Sequence, residues 1–191
     1  MKLFRSKRIR NERGFSLIEV MMAAMITGII TTAATRFFAD INQNAEAQYE
    51  ISEIQHMCRV CLDDIKKNLR MAGYLLDDDH PAYAVEADTL MVFYRDTQPV
   101  DTIRYFLQPY ASDDVQDEEA REIYKLMKKL NSQNASAYAD FITAINFVPI
   151  DSANMVVTIS AETERPDETF PLNGGYREFS LGDRIHMRNM R

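Results

Sequence analysis

The sequence has few of the residues from which enzyme and metal sites are usually built. Its 191 residues include three histidines, two cysteines and no tryptophan. No glycine-rich phosphate loop and no G-x-S-x-G motif occurs, and the histidines are scattered at His56, His80 and His186. Two cysteines supply only half of a structural zinc site. We therefore expect a protein that is not an enzyme and holds no metal or cofactor.

Basic residues are scarce outside the N-terminus. Residues 1–14 hold six of the 22 Lys and Arg side chains and one of the 29 Asp and Glu side chains, which leaves residues 15–191 with a net charge of −12. A body this acidic repels phosphate backbones, so no nucleic acid is expected as a partner. The 46% of apolar residues excludes a disordered chain and suffices for one folded domain.

A long apolar run follows the basic N-terminus. Residues 15–35 read FSLIEVMMAAMITGIITTAAT and carry a single charge, Glu19. At about 1.5 Å per residue, a helix of this length spans the roughly 30 Å hydrocarbon core of a bilayer. The basic residues all precede the run and Arg36 closes it, so the positive-inside rule places residues 1–14 in the cytoplasm and the rest across the membrane.

The junction between the basic segment and the apolar run carries a specific motif. Gly14-Phe15-Ser16-Leu17-Ile18-Glu19 resembles the type IV prepilin signature, whereas an ordinary secretory signal would have a small-residue cleavage site after its apolar stretch. The resemblance implies that a prepilin peptidase cleaves between Gly14 and Phe15 and methylates the new amine of Phe15. It also implies a bacterial inner-membrane protein that enters a periplasmic or extracellular filament. Its partners would be membrane lipid, an inner-membrane assembly platform, and other minor and major pilins that contact the N-terminal helix.

Glu19 is unusual because an ionisable side chain within a bilayer costs at least a few kcal/mol and is normally there for a partner. Cleavage would supply one, since Glu19 of one subunit could neutralise the Phe15 amine of its neighbour. The alternative is that Glu19 only offsets the dipole of its own helix, worth about 0.3–1 kcal/mol.

The apolar helix is expected to continue beyond the membrane. No proline occurs before Pro81, and seven small or apolar residues recur at steps of three or four. They are Ile51, Ile54, Cys58, Cys61, Ile65, Leu69 and Ala72. The helix should therefore reach about Ala72, with Gly73 as a left-handed cap.

Cys58 and Cys61 form a C-x-x-C pair on this stripe. Three interpretations apply: two packed thiols, a disulfide favoured by the oxidising compartment, or part of a metal site. Helix geometry would strain the disulfide, which ranks below packed thiols and above metal.

Beyond Tyr74 the pattern changes to alternating apolar residues that predict strands. The predicted strands cover residues 89–94, 102–107, 142–148, 155–161 and 184–188, with two hairpins around Asp96–Pro99 and Pro149–Ser152. Residues 113–134 favour an amphipathic helix by their spacing, yet the family resemblance places a short strand near Ile123–Leu126. That choice stays open here.

These elements together predict an α+β, pilin-like fold with a long N-terminal helix packed on an antiparallel sheet. The expected divisions are a cleaved leader (1–14), the membrane and filament-core part of the helix (15–36), its outer half (37–73) and a β-rich head (74–191). Leu69-Arg70-Met71-Ala72-Gly73-Tyr74 resembles the helix exit of W-type minor pilins. The resemblance implies a minor pilin that primes assembly and enters the filament at or near its tip. A J-type pseudopilin of type II secretion is the close alternative, and a signal-anchored envelope binding protein is the alternative of another class.

Overall fold

A computed structural model describes residues 14–77, 79–96, 99–109, 122–166, 170 and 172–189. The chain divides into two compact units, residues 1–46 and 47–191. Most of the predicted leader, part of the first predicted turn and residues 113–121 lie outside the described residues.

The N-terminal helix α1 comprises Leu17–Met71. It ends within one residue of the predicted boundary because Gly73 adopts a left-handed backbone with a φ of 77°. The Gly73 N–H donates to the carbonyl of Phe93 at 3.0 Å instead of continuing the helix. A Cβ at this position would lie 2.8 Å from the carbonyl oxygen of Asn189, so both the conformation and the space require glycine.

Among the described residues, seven strands follow the helix and form one antiparallel sheet in chain order, each strand pairing with the next. They are β1 (Tyr83–Glu86), β2 (Thr89–Tyr94), β3 (Asp101–Pro109), β4 (Tyr124–Leu130), β5 (Ser136–Pro149), β6 (Asn154–Glu162) and β7 (Glu178–His186). The α+β, pilin-like arrangement of one long helix and one antiparallel sheet is as predicted.

The predicted strands agree with the structure to different degrees. Residues 89–94 coincide with β2, and both predicted hairpins are formed by paired strands, β2 with β3 and β5 with β6. The last strand begins at Glu178, six residues before the predicted start at Arg184. The four-residue strand β1 was not predicted.

Residues 113–134, for which both a helix and a strand were considered, contain a strand in the part that the structure describes. Tyr124–Leu130 pairs with β3 on one side and β5 on the other, so the helix suggested by local spacing is wrong for these residues. Lys125, Lys128 and Lys129 interrupt the apolar alternation, which explains why the local pattern did not reveal a strand.

The core lies between one face of the sheet and the part of α1 within residues 47–71. Every residue of the predicted apolar stripe from Ile54 to Ala72 is buried, and Ile51 is half-buried. The sheet contributes alternate residues, among them Leu90 and Val92 of β2, as expected where one face packs on a helix.

Candidate maturation and assembly site

The predicted cleavage site lies immediately before the helix. Gly14, Phe15 and Ser16 are outside α1, and Phe15 is 86% exposed. In the described part of the chain, no atom other than those of its sequence neighbours comes within 4 Å of where a Cβ of Gly14 would be. The peptide bond between Gly14 and Phe15 is therefore outside regular structure, where a protease can bind the backbone in extended form.

Ser16 and Glu19 together begin the helix. The Ser16 carbonyl accepts from the N–H groups of Glu19 at 3.0 Å and Val20 at 3.2 Å. In return, the Ser16 N–H donates to Oε2 of Glu19 at 3.2 Å. This is the glutamate half of a capping box, in which the carboxylate satisfies a backbone donor that the helix leaves unpaired.

The role of Glu19 as a cap was not predicted from the sequence, in which its charge was the notable feature. The signal was present, because S-x-x-E before an apolar run is the pattern of a capping box. The structure thus gives Glu19 a local hydrogen bond in addition to the dipole effect. Its predicted pairing with a neighbour's amine stays a prediction.

The first part of the helix beyond this cap, residues 20–35, has no charged side chain on any face. The helix is long and apolar enough to cross a membrane, the single helix of that kind among the described residues, and none of its most apolar stretch is buried within the protein. A helix that is apolar all round is typical of a membrane span or of burial against partners. Its exposed large apolar side chains include Leu17, Ile18, Val20, Met21, Met22, Met25, Ile26, Ile29 and Ile30.

Four threonines in this helix have their hydroxyls satisfied internally. Thr27, Thr31 and Thr32 each donate to the carbonyl four residues earlier at 2.8 Å, and Thr35 does so at 2.6 Å. A hydroxyl without a partner in hydrocarbon costs several kcal/mol, so these bonds make the threonines compatible with lipid.

Cys58 and Cys61 are free thiols buried in the core. Burial raises the pKa of Cys58 to about 11. The pKa of Cys61 is raised to about 12, chiefly by burial and further by the nearby Cys58 and Asp64. His56, the nearest histidine in sequence, is exposed, and the described residues contain no group of three His, Cys, Asp or Glu side chains that could hold a metal. The pair therefore lacks the activation that redox cysteines need.

A polar cluster on the same helix was not predicted. Oδ2 of Asp64 accepts from the Tyr105 hydroxyl at 2.5 Å, from Lys128 at 2.6 Å and from Asn68 at 3.3 Å. The Asn68 amide also donates to the Tyr105 oxygen. Burial and the hydrogen bond to Asp64 raise the pKa of Tyr105 far above its usual range. The cluster joins α1 to β3 and β4 and holds the helix at one register on the sheet.

Comparison with known proteins supports the interpretation of the N-terminus. Residues 9–35 match the prokaryotic N-terminal methylation motif. That match contains Gly14, Phe15 and Glu19. The described start of α1 therefore lies within the segment that matches the N-terminal methylation motif.

One relative is the pilin-like protein PilA3 of Thermus thermophilus, 32% identical over 62 residues. The aligned region covers 32% of this chain and 27% of the relative, so the similarity concerns about a quarter of that protein. No solved structure matches the chain significantly.

Proposed function

We propose that the chain is a type IV pilin-like structural subunit, and within that class a minor pilin that primes filament assembly and is incorporated at or near the filament tip. The observation that carries the proposal is the coincidence of the methylation motif over residues 9–35 with an exposed apolar helix that begins at Leu17. The α+β fold also supports the proposal, because it consists of a long helix with a sheet packed on its later part.

Maturation begins with cleavage between Gly14 and Phe15 by a prepilin peptidase. The position before the cut has no side chain, and the bond lies outside the helix, so the enzyme binds it without unwinding α1. Cleavage removes the six basic residues of the leader and creates a cationic amine on Phe15, which is then methylated.

Assembly transfers the apolar helix from lipid to a bundle of similar helices. In the filament the carboxylate of Glu19 neutralises the amine of a neighbouring subunit in a medium of low dielectric constant. Before cleavage the capping hydrogen bond to Ser16 keeps that carboxylate at the first turn, close to where the amine is created. Burial of the apolar face favours association, and the charge pair fixes the axial register.

The minor assignment and the filament tip rest on the resemblance of Leu69–Tyr74 to the helix exit of W-type minor pilins. A pseudopilin of type II secretion would use the same maturation and the same helix. The sites at Gly14, Phe15 and Glu19 are therefore common to both.

The test is the intact mass and N-terminal residue of the chain, produced in cells with and without a prepilin peptidase. A peptidase-dependent product that starts at methylated Phe15 is the expected result. Gly14→Glu serves as the matched control, since a large charged side chain at the cut should leave the leader attached while the helix still inserts. A chain that keeps residues 1–14 in both strains would favour a signal-anchored envelope protein instead.

A further inference from the structure

The outer face of the sheet, opposite the face that packs on the helix, holds two cations directly across from each other. Arg104 of β3 and Lys129 of β4 are cross-strand partners. Arg104 is exposed and Lys129 is half-buried, and neither has an ion-pair partner among the described residues. Like charges in this position destabilise a strand pair, so the fold keeps an arrangement that costs it stability.

Apolar side chains surround the two cations on the same face. Phe106 of β3 and Met127 of β4 form the neighbouring cross-strand pair on the outer face. Met91 of β2 lies opposite Arg104 on the other side of β3. All three are half-buried although no helix covers this side of the sheet among the described residues. We call Met91, Arg104, Phe106, Met127 and Lys129 the outer basic patch.

The patch contrasts in charge with the rest of the chain. Residues 15–191 have a net charge of −12. The two other lysines of β4 are paired with acids: Lys128 contacts Asp64, and Lys125 lies 3.9 Å from Asp140. A cationic, partly apolar surface on an acidic protein is complementary to an acidic, partly apolar one.

We propose that the outer basic patch is a docking surface for an acidic, partly apolar segment of a neighbouring filament subunit. The proposal rests on the proposed function, which supplies such neighbours. A carboxylate placed between Arg104 and Lys129 removes their repulsion, and apolar side chains beside it cover Phe106 and Met127. Both effects exist only in the complex, so they favour association over the separate subunits.

Cross-linking in cells tests this contact with the full-length chain. A photoreactive phenylalanine analogue replaces Met127, and in a control it replaces Thr158, which is on the outward face of β6 and outside the patch. The cross-linked peptides are identified by mass spectrometry. We expect position 127 to link to an acidic segment of a different protein with an N-terminal methylation motif, and position 158 not to give that link.

Charge reversal at both cations is the decisive variant. Arg104→Glu combined with Lys129→Glu leaves like charges opposite each other, so the fold experiences a similar repulsion, but the patch becomes anionic and the cross-link should be lost. Arg104→Lys should keep it. The proposal is overturned if no link forms, if the link survives the double reversal, or if position 127 links instead to lipid, nucleic acid, a second copy or residues 110–121 of its own chain.

The N-terminal residue of the same samples separates the two proposals. A chain processed to Phe15 without the cross-link would contradict the docking surface alone. An unprocessed chain would contradict the proposed function, and with it the docking surface that depends on it.

Discussion

The Lys128 ammonium on β4 lies 2.6 Å from the Asp64 carboxylate on α1 and ties the middle of the sheet to the helix. The same carboxylate oxygen accepts from the buried hydroxyl of Tyr105. Lys128 also lies 5.6 Å and 5.4 Å from the ring centroids of Tyr105 and Tyr138, within the range of a cation–π contact. The side chains of Lys128 and Asp64 are only 25% and 20% exposed, so water screens the pair only in part.

Loss of this carboxylate should therefore weaken the head. We expect Asp64→Ala to lower the free energy of unfolding by about 2–4 kcal/mol, because Tyr105 and Lys128 lose their common acceptor while buried or half-buried. The measurement is chemical denaturation of the full chain in detergent, followed by the near-ultraviolet circular dichroism of its nine tyrosines, since tryptophan is absent.

Lys129→Ala is the matched control for this experiment. It removes a charge from the adjacent position of β4, but on the outer face and without an ion pair among the described residues. We expect it to change stability by less than about 0.5 kcal/mol. A loss for Asp64→Ala no larger than for Lys129→Ala would show that the cluster does not stabilise the head.

The Asp64 cluster also illustrates how far the sequence could predict the structure. The stripe from Ile54 to Ala72 was visible because apolar residues at steps of three and four leave a regular pattern. Asp64 is not part of this stripe, and a charged residue beside it is normally expected to face solvent. Its partners Tyr105 and Lys128 are 41 and 64 residues away in the chain, a separation that local periodicity does not encode.

The strands show the same division between local and long-range information. β2 is a short run of apolar and aromatic residues and was predicted to the residue. β4 is a strand because β3 and β5 flank it and satisfy its backbone, although its own lysine-rich sequence favours a helix by spacing. At the proposed maturation site the candidate residues follow from a motif and stay a prediction, whereas the capping hydrogen bond required attention to Ser16 as well as Glu19.

Gly73 offers a test of the helix end. We expect Gly73→Ala to destabilise the head by at least about 1–2 kcal/mol, because the methyl group adds left-handed strain and a 2.8 Å approach to the Asn189 carbonyl. Denaturation midpoints measure the effect.

Gly174→Ala separates strain from crowding, since Gly174 also has a positive φ of 62° but its nearest atom would be 3.8 Å from a Cβ. We expect the smaller loss at this position. Equal losses would mean that the contact with Asn189 contributes nothing.

The two cysteines should be inert while the head is folded. With thiol pKa values of about 11 and 12, no more than about 1 in 1,000 thiol groups is ionised at pH 8, and both sulfurs are buried. We expect no thiol to react with an aromatic disulfide reagent in the native chain and two to react after denaturation. Rapid reaction of the native chain would contradict the burial. Absence of reaction after denaturation without reductant would reveal a disulfide between Cys58 and Cys61.

Asp183 gives the head a defined response to acid. Its hydrogen bond to Lys66 lowers the pKa of the carboxyl below the ordinary value of 3.8. A lowered folded pKa means that the pair stabilises the fold above pH 3.8 and that this contribution is lost as the pH falls through the folded value. Asp183→Asn should therefore cost about 0.2–1 kcal/mol at pH 7, as for a partly exposed pair, and progressively less as the pH falls below 3.8. A cost that does not change with pH would indicate lost packing instead.

One pair of substitutions can separate the observed cap of Glu19 on Ser16 from its proposed pairing with a neighbour's amine. Glu19→Gln keeps a side-chain oxygen that can accept from the Ser16 N–H but removes the charge, whereas Glu19→Val removes both. If Glu19 neutralises the amine of a neighbouring subunit, both variants should insert and be cleaved, and both should enter filaments at least about tenfold less than the wild type, since one lost buried charge pair exceeds about 1.4 kcal/mol. If the cap alone matters, Glu19→Gln should assemble normally and Glu19→Val should not. Quantitative immunoblotting of sheared filaments against the membrane pool measures the difference. Normal incorporation of Glu19→Gln would exclude charge pairing, because the amide cannot neutralise an amine that remains cationic.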